Sequence, residues 1–309
     1  AANTYLGSAG NLLQPDRKSC RQLELEHPLL NKEEFNLIKN LDRPGFKTAT
    51  LDITFDREKE SLEQRMENLF KKAETLIAEG VNILILSDRK VNSSKVAVPA
   101  LLAVSGLHHH LIKKGLRTEL SLVLESGEPR EVHHFSALIG YGLDAINPYL
   151  AYASLEQLVE DGHLELSRDE AIAAYIKAAV KGVIKVMAKM GISTIQSYRG
   201  AQIFEAIGIS KSVIDKYFCR TASRIGGIGI KEIEKESIMR HDSAFKGVKV
   251  EKESLDSGGN FSWRKDGEEH LYDPKTIYLL QRAVRENNYE LFKEYKTKIN
   301  DQSDKMLTL

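Results

Sequence analysis

From Phe46 onward the chain changes from irregular to periodic. Ala49, Leu51, Ile53 and Phe55 fall on alternate positions with polar residues between them, the period of a half-buried strand. Leu62, Met66, Leu69, Ala73, Leu76 and Ile77 then recur at steps of three and four, the stripe of an amphipathic helix, with Gly80 placed to cap it. The same order repeats. Val81 to Leu86 is apolar and β-branched enough for a buried parallel strand, ending at Ser87, Asp88 and Arg89. Pro99 opens a helix that runs through His108, His109 and His110 to Gly115. Leu120 to Leu124 reads as a third strand, Glu131 to Gly140 as a short helix, and Asp144 to Asn147 as a short fourth strand. Ser167 and Glu170 form a capping box for a long helix to about Met190. Ile192 to Tyr198 is expected as the fifth strand and Ala201 to Ala206 as a helix.

Strands alternating with helices predict βαβ units and a parallel sheet, and five strands do not fill an eight-stranded barrel. The flanks differ from this core. Residues 1–45 carry Gly7, Gly10, Pro15, Pro28 and Pro44, with one helical patch from Glu33 to Asn40, and are expected to form an extended arm. Beyond residue 208 the pattern is mainly helical: Lys211 to Phe218, Lys231 to Phe245, and a helix starting at Asp273 and Pro274. Asp256 to Asp266 is polar and glycine-rich, a loop or hairpin. The expected organisation is an arm over 1–45, an α/β core over 46–208 and a mainly helical extension over 209–309.

Composition narrows the classes. The 309 residues hold 44 Lys plus Arg against 44 Asp plus Glu, so no net field draws in nucleic acid or an anionic membrane. No apolar run approaches the roughly 20 residues of a membrane span. Cys20 and Cys219 are the only cysteines, which implies no disulfide framework and suits a reducing, cytoplasmic setting. The chain opens on Ala1 and Ala2 without an initiator Met, which fits an excised piece of a longer polypeptide as well as a processed chain.

Candidate chemistry gathers after the third strand, where Glu125, Glu128, Arg130, Glu131, His133 and His134 follow an apolar run. Ligands of parallel α/β folds collect at the carboxyl ends of strands. Asp88 and Arg89 end the second strand and Tyr198 and Arg199 the fifth, and all are expected on that edge. The cluster is either a substrate site or a network of ion pairs holding loops. Other signals are weak. Adjacent histidines on a helix point about 100° apart, so His108 to His110 do not converge on one ion. Glu131 and His134 supply one E-x-x-H where a di-metal site needs two. Gly140, Gly142 and Ala145 match G-x-G-x-x-A but lie after a helix and before a strand, the reverse of a dinucleotide fingerprint. Gly226, Gly227 and Gly229 read as a glycine-rich turn without the lysine of a P-loop. Cys219 has only Arg220 beside it to lower a thiol pKa.

The residues also carry a resemblance. GVNILILSDR, HHHLIKKGLRTELSLVLESGEPREVHHFSALIGYGLDAINPYLA and IKVMAKMGISTIQSYRGAQIFEAIGI resemble the central domain of the glutamate synthase large chain, and TYLGSAGNLLQP and RIGGIG resemble its flanking parts. Arg220 departs from the family, which usually has Gly at that turn. The resemblance implies an α/β fold whose sheet is an incomplete, barrel-like relative of the TIM barrel. It implies a longer enzyme that makes two glutamates from glutamine and 2-oxoglutarate. There an amidotransferase domain releases ammonia and a domain with FMN and an iron–sulfur cluster consumes it. The partners are then those two domains of the same polypeptide, with no nucleic acid and no membrane. The location is cytoplasmic, or plastid for a plant or alga. No catalytic, cofactor-binding or metal residue is inherited by this chain, so it is expected to lack activity alone. Glu125 to His134 then read as a structural polar cluster, with Arg130, Glu131 and His134 buried or paired. Tyr5, Leu6, Gly7, Leu30 and Asn31 are expected at one edge, as interdomain or ammonia-path residues. The competing reading is an independent small-molecule or phosphate-binding α/β enzyme that uses the strand-end cluster.

Overall fold

Two short strands begin the chain, β1 (Thr4–Leu6) and β2 (Leu23–Leu25), paired antiparallel, followed by α1 (Lys32–Lys39). The computed structural model describes residues 2–11, 13–17, 19–245, 257–302 and 307. It divides into two compact units, Ala1–Gly247 and Val248–Leu309. The first unit continues with β3 (Thr48–Asp52), β4 (Thr54–Asp56), α2 (Leu62–Ala78), β5 (Ile83–Ser87), β6 (Lys95–Ala97) and α3 (Ala100–Lys113). Next come β7 (Ser121–Glu125), α4 (Val132–Gly140), β8 (Ala145–Asn147), α5 (Tyr149–Glu160) and α6 (Arg168–Lys189). It ends with α7 (Ile195–Tyr198), β9 (Glu205–Ile209), α8 (Lys211–Tyr217), β10 (Ala222–Ile228) and α9 (Ile230–Phe245). The second unit holds α10 (Pro274–Arg285), opened by Asp273 as an N-cap, and α11 (Tyr289–Asn300).

β3, β5, β7 and β8 form one parallel sheet in sequence order, as successive strands of a barrel would. Leu51, Leu86, Leu124 and Ile146 stand side by side across it. With Leu84 and Leu122 they join the core built by Met66, Leu69 and Phe70 of α2, Leu102 and Leu107 of α3, and Phe135 and Leu138 of α4. The intervening residues Ile83, Ile85, Val123 and Ala145 point to the other face, because side chains alternate along a strand. Every one of these β5, β7 and β8 residues is buried. That is why the segments read as unbroken apolar runs rather than as alternation.

The second face is covered by the arm. Leu6, Leu30, Phe35 and Ile38 pack on Ile83, Ile85, Val123 and Ala145, and Leu6 and Leu30 are at most 1% exposed. Each such leucine is worth about 1.5–3 kcal/mol of burial. Leu29 also bridges Ile146 in parallel, with Leu30 N–H to Ile146 O and Ile146 N–H to Pro28 O both 2.7 Å. The backbone of the arm thus occupies the free edge of β8. Gly7 has φ of +129° and lies so near the Arg21 carbonyl and the Phe46 ring that a side chain there would be crowded.

The sheet has four strands rather than five, and the expected fifth is a helical turn. Thr194 accepts a hydrogen bond from Ser197 N–H, and this cap folds 195–198 into α7 with Ile195 and Tyr198 buried three apart. The segment expected as a helix at 201–206 is extended and leads into β9. Gly226 and Gly227 lie within a strand, not a turn. β10 runs parallel to β9, and a Cβ on Gly227 would collide with the Gly208 backbone. This pair is exposed, with Ile207 and Ile225 60% or more accessible. Asp256 of the expected 256–266 loop lies outside the described residues; 257–266 is irregular. The capping box at Ser167 and Glu170 is present as expected.

Candidate functional site

At the carboxyl edge of the sheet the polar side chains are held by the protein's own groups. Glu125, 4% exposed, accepts the Ser87 hydroxyl at 2.6 Å and Arg89 Nε at 3.1 Å, and Lys39 approaches to 4.0 Å. Arg89 also lies over the Tyr149 ring, 3.8 Å from its centroid. Asp88, 3% exposed, accepts the Ser126 hydroxyl at 2.6 Å and Gly127 N–H at 3.1 Å. Burial raises its pKa, against the hydrogen bonds from Ser126 and Tyr149 that lower it. Asn147 Nδ2 and the Tyr152 hydroxyl both donate to Leu30 O, at 3.0 and 2.9 Å, tying this edge to the arm.

The sequence cluster divides at this point. Glu125 belongs to the buried network, whereas Arg130, Glu131, His133 and His134 are exposed. Glu131 and His134 pair at 3.5 Å, and His134 Nδ1 accepts Arg130 N–H at 3.1 Å. The guanidinium of Arg130 has no hydrogen bond or ion pair to any described residue, contrary to the expected burial or pairing. Glu128 is exposed as a residue, yet Oε2 accepts Ala100 N–H at 2.5 Å and so caps α3, and burial raises its pKa. His108, His109 and His110 diverge as expected of adjacent helical residues. His109 Nδ1 donates to Ser105 O at 2.8 Å and His110 Nε2 lies 2.6 Å from Glu74.

A second cluster, at the amino edge, was not foreseen. Asp144, 2% exposed, is gripped by Arg199 through Oδ1, and by Arg117 at 3.0 Å and Leu122 N–H at 2.8 Å through Oδ2. Arg199 therefore sits on the opposite edge from the one expected, because its segment is α7 and not a strand in the sheet. Arg117 also donates to Gly142 O at 2.6 Å, Leu120 O at 2.7 Å and His108 Nδ1 at 2.9 Å. Burial and then the charge of Arg117 push His108 down to about 2, so its ring is neutral. Burial likewise lowers both guanidiniums to about 10. Gly142, with φ of +103°, is needed here because a Cβ would strike His108. No spacing rule links residues 108, 117, 144 and 199; only the fold joins them.

Among the described residues of the first unit, two cavities bear on these clusters. One, of about 310 Å³, is lined by His108, Tyr141, Phe204, Cys219 and Arg220. Gln202 and Arg220 on its wall have φ of +55° and +64°, conformations that suit glycine. The other, of about 700 Å³, lies at the carboxyl edge between the loop after β7 and helices α3, α4 and α9. Its α9 residues, Arg240 and His241, carry no sequence signal that points to this edge. Among the described residues no three His, Cys, Asp or Glu side chains are placed to hold a metal ion, and Cys20 and Cys219 are both free.

The glutamate synthase central domain family matches residues 1–210. Over 299 residues the chain is 50% identical to glutamate synthase (NADPH) large chain of Bacillus subtilis, covering 97% of this chain and 19% of that protein. It is 41% identical over 298 residues to glutamate synthase (NADH) of Schizosaccharomyces pombe, covering 94% and 14%. Against ferredoxin-dependent glutamate synthase of Pyropia yezoensis it is 37% identical over 309 residues, covering 96% and 20%. The chain thus spans a fifth or less of the length of these relatives. Among solved structures, a flavocytochrome b2 variant with benzoylformate is 14% identical with a TM-score of 0.36, covering 50% of this chain and 33% of that one. That likeness is too slight to carry an argument.

Proposed function

The chain belongs to the glutamate synthase central domain family, and on that premise we propose that it is a non-catalytic connector within a longer polypeptide that converts glutamine and 2-oxoglutarate into two glutamates. In this reading it spaces an amidotransferase domain from a flavin domain and helps enclose the ammonia that passes between them. The supporting observation is the state of the sheet's carboxyl edge. Glu125 and Asp88, the buried carboxylates where a parallel α/β enzyme keeps its chemistry, are each committed to neighbouring Ser, Arg and backbone donors. Neither is offered to a substrate as a base or nucleophile.

FMN and an iron–sulfur cluster are assigned to the remainder of the polypeptide. Two cysteines 199 positions apart in sequence do not suit a cluster that takes several thiolates. The setting we propose is cytoplasmic, or plastid for a plant or algal source, and among the described residues no helix is long and apolar enough to cross a membrane. Of the five arm residues, Leu6 and Leu30 are spent on the sheet, while Tyr5 is 38% exposed and Asn31 half-buried. Tyr5 and Asn31 are therefore the arm positions we assign to the ammonia path.

A flavin titration and a glutaminase assay on the 309-residue chain test the connector reading. No turnover and no tight flavin binding are expected, and either one would overturn it. In the full-length polypeptide, Asn31→Trp should uncouple glutamine hydrolysis from glutamate formation. Half-reactions that stay in step would remove the path role and leave the arm as packing.

A further inference from the structure

The larger cavity, about 700 Å³, falls in the size range of small-molecule sites and lies at the sheet edge where such sites form. Its walls are mostly apolar, with Val96, Leu101, Leu138 and Phe245 among them. Two polar features face this apolar surround without being satisfied by it. Glu128 gives one carboxylate oxygen to Ala100 N–H, while Oε1 has no hydrogen bond to any described residue. Arg130 and Arg240 both line the cavity, and neither guanidinium has a hydrogen bond or ion pair to a described residue. Arg240 is near enough to Glu128 to favour its charged form, though burial still raises the carboxyl pKa.

His241, with its side chain 4% exposed, also lines the cavity but is turned to the protein: its Nε2 lies 2.7 Å from Asn92 O and its Nδ1 3.9 Å from Asp242 Oδ1.

A carboxylate with one oxygen uncommitted and two unpaired guanidiniums around an apolar chamber match one ligand class. We propose that this cavity binds a zwitterionic α-amino acid with an apolar side chain. Its ammonium sits on Glu128, its carboxylate on Arg130 and Arg240, and its side chain among Leu101, Leu138 and Phe245. A bidentate guanidinium–carboxylate contact supplies orientation as well as affinity. The site is distinct from the connector role and does not depend on it.

Calorimetric titration of the 309-residue chain with L-leucine and L-phenylalanine tests this, with phenylacetate and phenethylamine as ligands lacking one charge each. One saturable site is expected for an amino acid, with either half-ligand about tenfold weaker or worse. Arg240→Gln and Arg130→Gln should weaken the amino acid about tenfold or more, and Glu128→Gln should do the same while leaving phenylacetate unchanged. Melting curves of the three exposed-residue variants confirm that each is folded. Phenylacetate binding as tightly as phenylalanine, affinity indifferent to Glu128 and both arginines, or no saturation up to about 10 mM would each overturn the proposal.

Discussion

Asp144→Asn removes the one carboxylate that separates two guanidiniums. In the folded chain its oxygens take Arg199 on one side and Arg117 plus Leu122 N–H on the other, at 2% exposure. Unit charges about 4 Å apart at an effective dielectric near 20 attract by about 4 kcal/mol, so two such pairs amount to roughly 8 kcal/mol gross. Desolvation of three ions and the repulsion between Arg117 and Arg199 take back much of that. Breaking a buried pair from one side nevertheless leaves uncompensated charge and costs about 3–5 kcal/mol, the loss expected for Asp144→Asn. Arg199→Met, which leaves Asp144 with Arg117, should cost less. The double variant should be more stable than the sum of the singles implies by at least about 1 kcal/mol, because the second change removes a cation that the first left stranded. Urea denaturation followed by circular dichroism, extrapolated to water, measures all four corners. A loss below about 1 kcal/mol for Asp144→Asn, or strict additivity, would refute the account of this cluster.

Arg220→Gly should stabilise the chain by about 1 kcal/mol, since relief of a left-handed residue is worth about 1–3 kcal/mol and glycine's extra unfolded entropy returns about 0.4–1. Arg220→Ala keeps the Cβ and should not; equal gains in melting temperature would sink the strain argument. Leu30→Ala should cost about 2–5 kcal/mol and speed tryptic cleavage near Arg17 and Arg21, and an arm that stays equally protected would deny its role as an anchor. His108 has its pKa depressed to about 2 from 6.5, so its contribution is complete above pH 6.5 and falls away as pH drops towards 2. At pH 5.5 the unfolded chain has taken up the proton and the folded chain has not, which costs about 1.4 kcal/mol. His108→Asn should lose that part of the acid slope, and an unchanged slope would show that the ring titrates freely.

The parallel sheet was legible because β5, β7 and β8 are buried on both faces, which leaves apolar runs that no solvent-facing residue interrupts. The cap at Ser167 was legible because a capping box is a local signal. ISTIQSY misled for the same reason that VNILIL succeeded. Its β-branched and apolar residues suit a strand, but Thr194 competes locally for Ser197 N–H and wins a helical turn. The arm's glycines and prolines announced irregular backbone, yet nothing local announced that Leu6 and Leu30 would fill the sheet's second face. The Asp144 cluster and the α9 wall of the larger cavity join residues far apart in sequence, which periodicity does not register. Arg220 stood out only as a departure from the glycine that the resemblance implies, and its φ of +64° is a conformation that suits glycine.

The arm on the sheet's second face has a consequence for how the chain reaches its fold. Leu6 leaves the ribosome well before the surface it covers, which is completed by Val123 and Ala145 more than a hundred positions later. Until β8 exists, Leu29 has no strand to bridge and the arm's apolar side chains have nowhere to settle. Such distant partners make folding slow, because the long loop must close before its contacts repay the entropy. During synthesis the half-built sheet presents Ile83, Ile85 and an unpaired strand edge to the cell, the kind of surface on which nascent chains aggregate. The last step in closing this domain therefore belongs to a segment made before the sheet it covers.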